Sequence, residues 1–385
     1  MIARRTRPFL LALAALALVL PPANAALQPR GTGSHPATRA AAPADTSAYV
    51  PAIGHVFVIN IENKGYDATW GDGSEAPYLA RTLRRQGVLL NSYYGTAHNS
   101  QPNYIAQISG QGPNQQMQFD CQVFSDFQTT GTAAPGQYLG NGCVFPEEVP
   151  SLPVQMTRKH LRWKAYMDDM GRSCRHPAPN TQDPTQHATS TNAYAVRHNP
   201  FVYFHSIIDR TAYCERHVVG ISHLRGHLRR EATTPNLTYI TPDLCHDGHD
   251  APCANGRAGG LTTVDKWMRT WVPAILDSPA FQKDGMLVIT ADEADTPQSD
   301  ASACCGEGPA PNALQPGIVG MGGGRVGALV ISKFTKGNTW STTPYNHYSL
   351  LASLEEIFGL PKLGYAQQDG LDRFGLDVYN NGWND

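Results

Sequence analysis

The chemistry this sequence offers is concentrated in three clusters of acids and in one serine. Glu62-Asn63 ends an apolar run, Asp243-Leu244-Cys245-His246-Asp247-Gly248-His249-Asp250 follows Tyr239-Ile240, and Asp292-Glu293 follows Val288-Ile289-Thr290. The middle cluster packs three carboxylates and two imidazoles into eight residues. Carboxylate oxygens and imidazole nitrogens in one run suit a divalent cation. Not all five can hold a single ion, so at least one orients a ligand by hydrogen bonding. A helix cap or a solvated turn would use the acids but has no need of the histidines.

The serine is Ser100, within His98-Asn99-Ser100-Gln101-Pro102-Asn103-Tyr104 and just ahead of Ile105. Pro102 is suited to a first helical turn, which puts Ser100 at the mouth of a helix N-terminus. Backbone N–H groups there favour a phosphate dianion. An S-x-P standing alone more often marks an N-cap serine, so its meaning depends on its companions.

Those groups need elements to hold them. Short apolar runs rich in β-branched residues at 55–61, 237–240, 286–289 and 326–331 read as buried strands. Continuous rather than alternating apolar strands imply a sheet covered on both faces. Helices are expected over 78–86, stopped by Gly87; over 264–271, ahead of Pro273; and over 348–358, ended by Gly359 and Pro361. Alternating strands and helices predict an α/β protein, a layered α/β/α sandwich with a mainly parallel central sheet. In such sheets ligands bind beyond the carboxyl ends of the strands. The three acid clusters follow three predicted strands, so they converge on one crevice.

The chain begins with Arg4, Arg5 and Arg7, the apolar run 9–20 and Ala23-Asn24-Ala25, the pattern of a signal peptide over 1–25. That run is too short to span a bilayer, so a secreted or periplasmic protein without stable membrane insertion is expected. Residues 26–50, rich in Ala, Pro, Thr, Gly and Ser, read as a flexible tether, and 51–385 as a single domain. The Gly-, Pro-, Asn- and Gln-rich stretch of about 110–200 reads as a loop-rich insertion capping the site. Loss of the three leader arginines would move the formal charge from −2 to −5. A mildly acidic surface gives no reason to expect nucleic acid or an anionic membrane as partner. Eight cysteines suit an oxidising compartment. Proximity pairs Cys121 with Cys143 and Cys245 with Cys253, whereas the neighbours Cys304 and Cys305 are not expected to bridge each other.

Glu62-Asn63-Lys64-Gly65-Tyr66, Ser100-Gln101-Pro102-Asn103-Tyr104, His198-Asn199-Pro200-Phe201, Asp247-Gly248-His249-Asp250, Asp292-Glu293-Ala294-Asp295 and Asn346-His347-Tyr348-Ser349-Leu350-Leu351 form an ordered set. This set resembles the motifs of the bacterial phosphoesterase family that includes secreted phospholipases C and acid phosphatases, within the alkaline phosphatase superfamily. The resemblance implies an alkaline-phosphatase-like fold and two divalent cations. Glu62, Ser100, Asp292 and Glu293 would surround one ion, and Asp247, His249 and His347 the other. Asn63 and His198 would touch the phosphoryl oxygens, with Asn103 and Asn199 as further substrate-binding candidates. Relatives usually carry Asn where this chain has Asp243 and His246, so Asp243 is either a ligand or a shaper of the turn.

The implied activity is hydrolysis of a small phosphate ester through a phosphoseryl intermediate. Mixed His and carboxylate ligands admit zinc, and an all-oxygen site equally accepts magnesium, manganese or calcium. A sulfatase would need an arginine where Tyr104 stands, and an α/β-hydrolase would need a G-x-S-x-G elbow that is absent. The rivals are a phospholipase C-type diesterase and a non-catalytic secreted metal-binding protein. No long apolar run lies in 110–200, which favours monoesters.

Overall fold

The computed structural model describes residues 50–381, all within one compact unit. The expected signal peptide and nearly all of the tether lie outside the described residues. In chain order the strands are β1 (His55–Ile61), β2 (Val88–Leu90), β3 (Tyr93–Tyr94), β4 (Gln128–Ala133), β5 (Gln137–Asn141), β6 (Trp163–Met167), β7 (Val218–Gly220), β8 (Leu237–Thr241), β9 (Gly285–Ala291), β10 (Ala328–Ser332), β11 (Thr339–Ser341) and β12 (Tyr345–Asn346). Eight of them form one sheet in the order β11-β2-β10-β9-β1-β8-β6-β7. Only β10 runs against the others, pairing antiparallel with β9 and β2. The mainly parallel α/β sheet is therefore as expected.

Why these runs become central strands is visible in β1 and β9. All seven residues of each are buried, and β1 is paired on both edges, Val58 facing Tyr239 of β8 and Val288 of β9. Successive side chains alternate faces, and both faces are covered. Phe57 meets the ring of Phe281 at 6.0 Å from the helix Pro279–Asp284. Three residues on, Asn60 accepts from Gln107 Nε2 of the helix Ser100–Ser109 at 2.9 Å. This is the sandwich, and it places the Ser100 helix on the Asn60 face.

Several expectations change. The stretch 110–200 contains the helix Leu152–Arg158 and the sheet strand β6, which joins β8 and β7 in parallel. Trp-Lys-Ala-Tyr-Met has no β-branched residue and owes its strand signal to Trp163 and Tyr166 alone. The helix expected to stop before Pro273 spans Gly260–Leu276. A proline removes one helical donor, and burial of Val272 and Ile275 offsets that loss. The segment at 78–86 opens as a wide π-turn over Tyr78–Leu83 and tightens over Arg84–Gln86.

Cys121–Cys143 and Cys245–Cys253 are bridged as expected, and Cys174–Cys214 is a third bond. Cys304 and Cys305 are also joined, contrary to expectation. Their turn is held by the buried Glu307, whose carboxylate accepts from the backbone N–H of Cys304 at 3.5 Å and of Cys305 at 2.9 Å. Among the described residues no helix is long and apolar enough to cross a membrane.

Candidate active site

The carboxyl ends of β1, β8 and β9 bring Glu62, Asp247 and Asp292 together, as their positions just past those strands require. Asn63 adopts a left-handed conformation (φ 52°), which turns the chain so that its backbone N–H donates to Asp292 Oδ1 at 3.0 Å. Glu62 N donates to the carbonyl of Asp247 at 2.8 Å. These bonds link β1 to both neighbouring loops.

Ser100 is the first residue of its helix rather than its cap: Asn99 (φ 65°) holds the cap position without a side-chain bond to the helix. The hydroxyl of Ser100 donates to Glu62 Oε2 at 2.7 Å. One helical turn later Tyr104 OH donates to Glu62 Oε1 at 2.5 Å. His198, delivered from the irregular stretch before the helix His205–Ile208, stacks on Tyr104 with ring centroids 5.3 Å apart. Its Nε2 lies 3.4 Å from Glu62 Oε2 and its Nδ1 3.3 Å from Asp247 Oδ2. Glu62, His198 and Asp247 can each aim one ligand atom at a common point, these atoms lying within 4.8 Å of one another.

Four carboxylates in a buried crevice resist ionising together. Burial, then the charges of Asp292 and Asp247, hold Glu62 well above the usual carboxylate range. Burial does the same to Asp247, and burial with Asp292 and Asp120 to Glu293. Burial pushes Asp292 up to about 7. His198 is driven the other way, well below the usual imidazole range, by burial and then by Arg197 and His249. Asn63 Oδ1, Asp247 Oδ2, Asp292 Oδ2 and both His198 nitrogens are buried without a hydrogen-bond partner among the described residues. Buried unsatisfied acceptors and crowded carboxylates are the signature of a cation's seat. The donor set fits a divalent cation.

The other expected residues fall nearby in distinct roles. Glu293 Oε2 lies 2.6 Å from His98 Nδ1. His347 has both nitrogens engaged: Nε2 donates to the carbonyl of Asp292 at 2.6 Å, and Nδ1 faces Tyr93 OH at 3.1 Å. His249 Nδ1 lies 2.8 Å from Asp250 Oδ1, and Nε2 takes a bond from Arg197 at 3.2 Å. Either histidine must release a partner before it can ligate. Asp243 spends Oδ1 on the N–H groups of Cys245 and His246 and faces His246 Nδ1 with Oδ2 at 3.0 Å, and with Asp168 and His246 it forms a group apart from Glu62 whose ligand atoms lie within 4.8 Å of one another. Asn103 is consumed in clamping the turn before Ser100, accepting from the N–H groups of Thr96 and Ala97 and donating to the carbonyls of Ala97 and Asn99. Asn199 is fully buried and donates to Tyr194 OH.

Sequence reasoning passed over four residues. His98 and Tyr104 stand inside the serine motif, and their signal was that motif itself. Arg197 and Asp120 had none. The buried Arg197 guanidinium lies 3.7 Å from Asp120 Oδ2, and Asp120 Oδ1 accepts from Gln101 N in the first turn of the Ser100 helix.

The family model described as "Phosphoesterase family" matches residues 72–361. A phosphate-repressible acid phosphatase of Penicillium chrysogenum is 28% identical over 282 residues, 73% of this chain and 54% of that one. A phosphatidylinositol-3-phosphatase of Mycobacterium tuberculosis is 23% identical over 317 residues, 82% of this chain and 81% of that one. The chain spans about half the length of the fungal acid phosphatases that it matches from Penicillium chrysogenum and Aspergillus fumigatus. A crystal structure of an alkaline phosphatase superfamily protein from Vibrio parahaemolyticus aligns with TM-score 0.46 and 11% identity, over 82% of this chain and 68% of that one. On the match that runs through the Ser100 helix, His198, Asp247 and Asp292, this chain belongs to the Phosphoesterase family.

Proposed function

We propose that this protein is a secreted, metal-dependent phosphatase that hydrolyses phosphate monoesters with Ser100 as nucleophile. The observation that carries the reading is the 2.7 Å bond from Ser100 Oγ to Glu62 Oε2 at the edge of a pocket of buried, unpartnered carboxylate oxygens. The names of the relatives, two kinds of phosphatase, favour monoesters over the diesters of a phospholipase C.

Glu62, His198, Asp247 and Asp292 would hold one divalent cation, and Glu293 is the further carboxylate available to a second. Bound cations would stabilise a serine alkoxide and offset charge on the phosphoryl oxygens. Ser100 Oγ would attack phosphorus as its proton passes along the existing bond to Glu62 Oε2; the bond from phosphorus to the ester oxygen breaks, the departing alkoxide takes a proton from solvent to leave as the alcohol, and Glu62 returns its proton to solvent. The Asn63 amide, beside Asp292, would orient phosphoryl oxygens. Water then attacks the phosphoserine, releasing phosphate and restoring the hydroxyl.

The test is turnover of a chromogenic phosphate monoester by the purified protein, with chelator and after return of zinc, magnesium, manganese or calcium singly. Activity lost on chelation and regained with a cation is expected. Activity indifferent to a chelator shown to strip the metal would remove the reading. Absence of turnover with every metal would favour a non-catalytic metal-binding protein.

A further inference from the structure

Among the described residues seven large hydrophobic side chains are exposed, and five of them gather on two loops: Phe119 on one, and Leu314, Ile318, Val319 and Met321 on the other. Phe119 is 61% and Leu314 77% exposed. The two loops are tied together where Gln118 Nε2 donates to the carbonyls of Gln315 and Pro316 at 2.7 and 3.1 Å. Phe119, Leu314 and Ile318, with the two glutamines, line an open cleft of about 500 Å³.

This cleft adjoins the nucleophile. His98 N donates to the carbonyl of Pro316 at 3.1 Å, and Asn99 Nδ2 to the carbonyl of Gln118 at 2.6 Å. Asp120, next to Phe119, holds the N–H of Gln101. Asn99, next to Ser100, bonds Gln118, next to Phe119, and His98 bonds Pro316 of the other loop, so both rim loops pack against the turn that presents Ser100. Clustered exposed apolar surface beside a site marks binding.

We propose that this rim seats the alkyl chain of the leaving group, so that the preferred substrates are amphiphilic phosphate monoesters. The proposal rests on the phosphatase reading above. Charge separates it from docking on an anionic membrane, which recruits clustered Lys and Arg. Neither residues 86–157 nor residues 296–324 contain any Lys or Arg, so both loops are without cations. A single substrate chain needs none.

The experiment measures kcat/KM for straight-chain alkyl phosphates from ethyl to decyl, each below its micelle concentration, in the wild type and in Phe119→Ser/Leu314→Ser. Both side chains are exposed, so the variant should keep its melting temperature and its rate on ethyl phosphate. A methylene taken fully from water gains up to about fourfold in binding, and a half-open cleft gains less. The wild type should rise at least tenfold from ethyl to decyl, and the variant less than threefold. Equal slopes in the two proteins, or no rise in the wild type, would overturn the rim. A wild type that sediments as a dimer while the variant is a monomer would also overturn it, assigning the patch to a second copy. If no ester of any length is turned over, the phosphatase reading fails by itself. Calorimetric titration of decylphosphonate against both proteins then decides the rim, with binding at least tenfold weaker in the variant expected and equal binding overturning it.

Discussion

Ser100 Oγ and Tyr104 OH both donate to the carboxylate of Glu62, at 2.7 and 2.5 Å, from one face of the same helix. Residues four apart lie above one another on a helix, so a single helical turn fixes both oxygens of the acid at the end of β1. Glu62 is held in place before any ligand arrives, with its carboxyl facing inward among other acids.

That arrangement predicts opposite effects of Glu62→Gln in two conditions. In chelator the change removes one of the mutually repelling buried carboxylates, and the melting temperature should rise. With a divalent cation present the variant should gain less than the wild type on metal addition, because an oxygen donor has lost its charge. Turnover should fall about hundredfold or more, since even groups behind the ligands are worth 10–100-fold. Thermal melts with and without metal check the first two expectations, and a rate with saturating metal the third. A variant that responds to metal as the wild type does would exclude Glu62 from the cation's seat.

The pH dependence of the chelated protein follows from Asp292. Its carboxyl is pushed up to about 7 by burial, above the ~3.9 of an unfolded chain. A raised acid favours folding most below its unfolded value, and that contribution is lost as pH rises through the folded one. The chelated protein should therefore lose melting temperature between pH 4 and pH 7. A divalent cation binds the deprotonated form and stabilises only the folded state, so the loss should shrink or reverse when metal is added. Melting curves from pH 4 to pH 8 in both conditions decide this. A flat profile in chelator would mean that Asp292 is ionised at little cost.

Two disulfides make contrasting predictions. Cys174–Cys214 closes a loop of 40-residue separation that carries Arg197, His198 and Asn199. Loop-closure entropy assigns it about 4 kcal/mol. Cys304–Cys305 joins neighbours and closes almost no loop. Replacing both cysteines of the first pair by serine should lower denaturant stability by about that amount, and the same change in the second pair should cost far less. Equal losses would show that local packing, not chain entropy, sets the value of these bonds.

What could be read from the chain was local. Continuous β-branched runs announce β1, β8, β9 and β10, and polar clusters beyond the first three mark the crevice, because both signals lie within a few residues. The Ser100 helix start was legible for the same reason. Strand β6 was not, since Trp163–Met167 becomes a strand only by pairing with β8 and β7. The engagement of each histidine was not legible either. His347 spends a nitrogen on Asp292 and His249 spends one on Arg197, contacts made across 55 and 52 residues. His198 hydrogen-bonds with neither nitrogen and faces Glu62 and Asp247 instead. Asp243 looks like its neighbours in composition and differs only in folding back on its own turn.

The Ser100 assignment is the one on which the catalytic reading depends, and its geometry separates two accounts of the residue. An N-cap serine accepts a hydrogen bond from backbone N–H groups one turn on, and its loss costs about 1 kcal/mol of stability. Ser100 instead donates to Glu62 and caps nothing. Ser100→Ala should therefore leave melting within a few degrees of the wild type in chelator and cut turnover of a phosphate monoester by several orders of magnitude. The Glu62 oxygen left without its hydroxyl partner would lose one of the bonds that lower its proton affinity, so metal binding should weaken modestly. Calorimetric titration with metal alone measures that without reference to activity. Acid-quenching the wild type during turnover of a labelled monoester should leave phosphate on the peptide that contains Ser100. Near-normal turnover in the alanine variant, or label on a different residue, would transfer the attack on phosphorus from Ser100 to a water molecule.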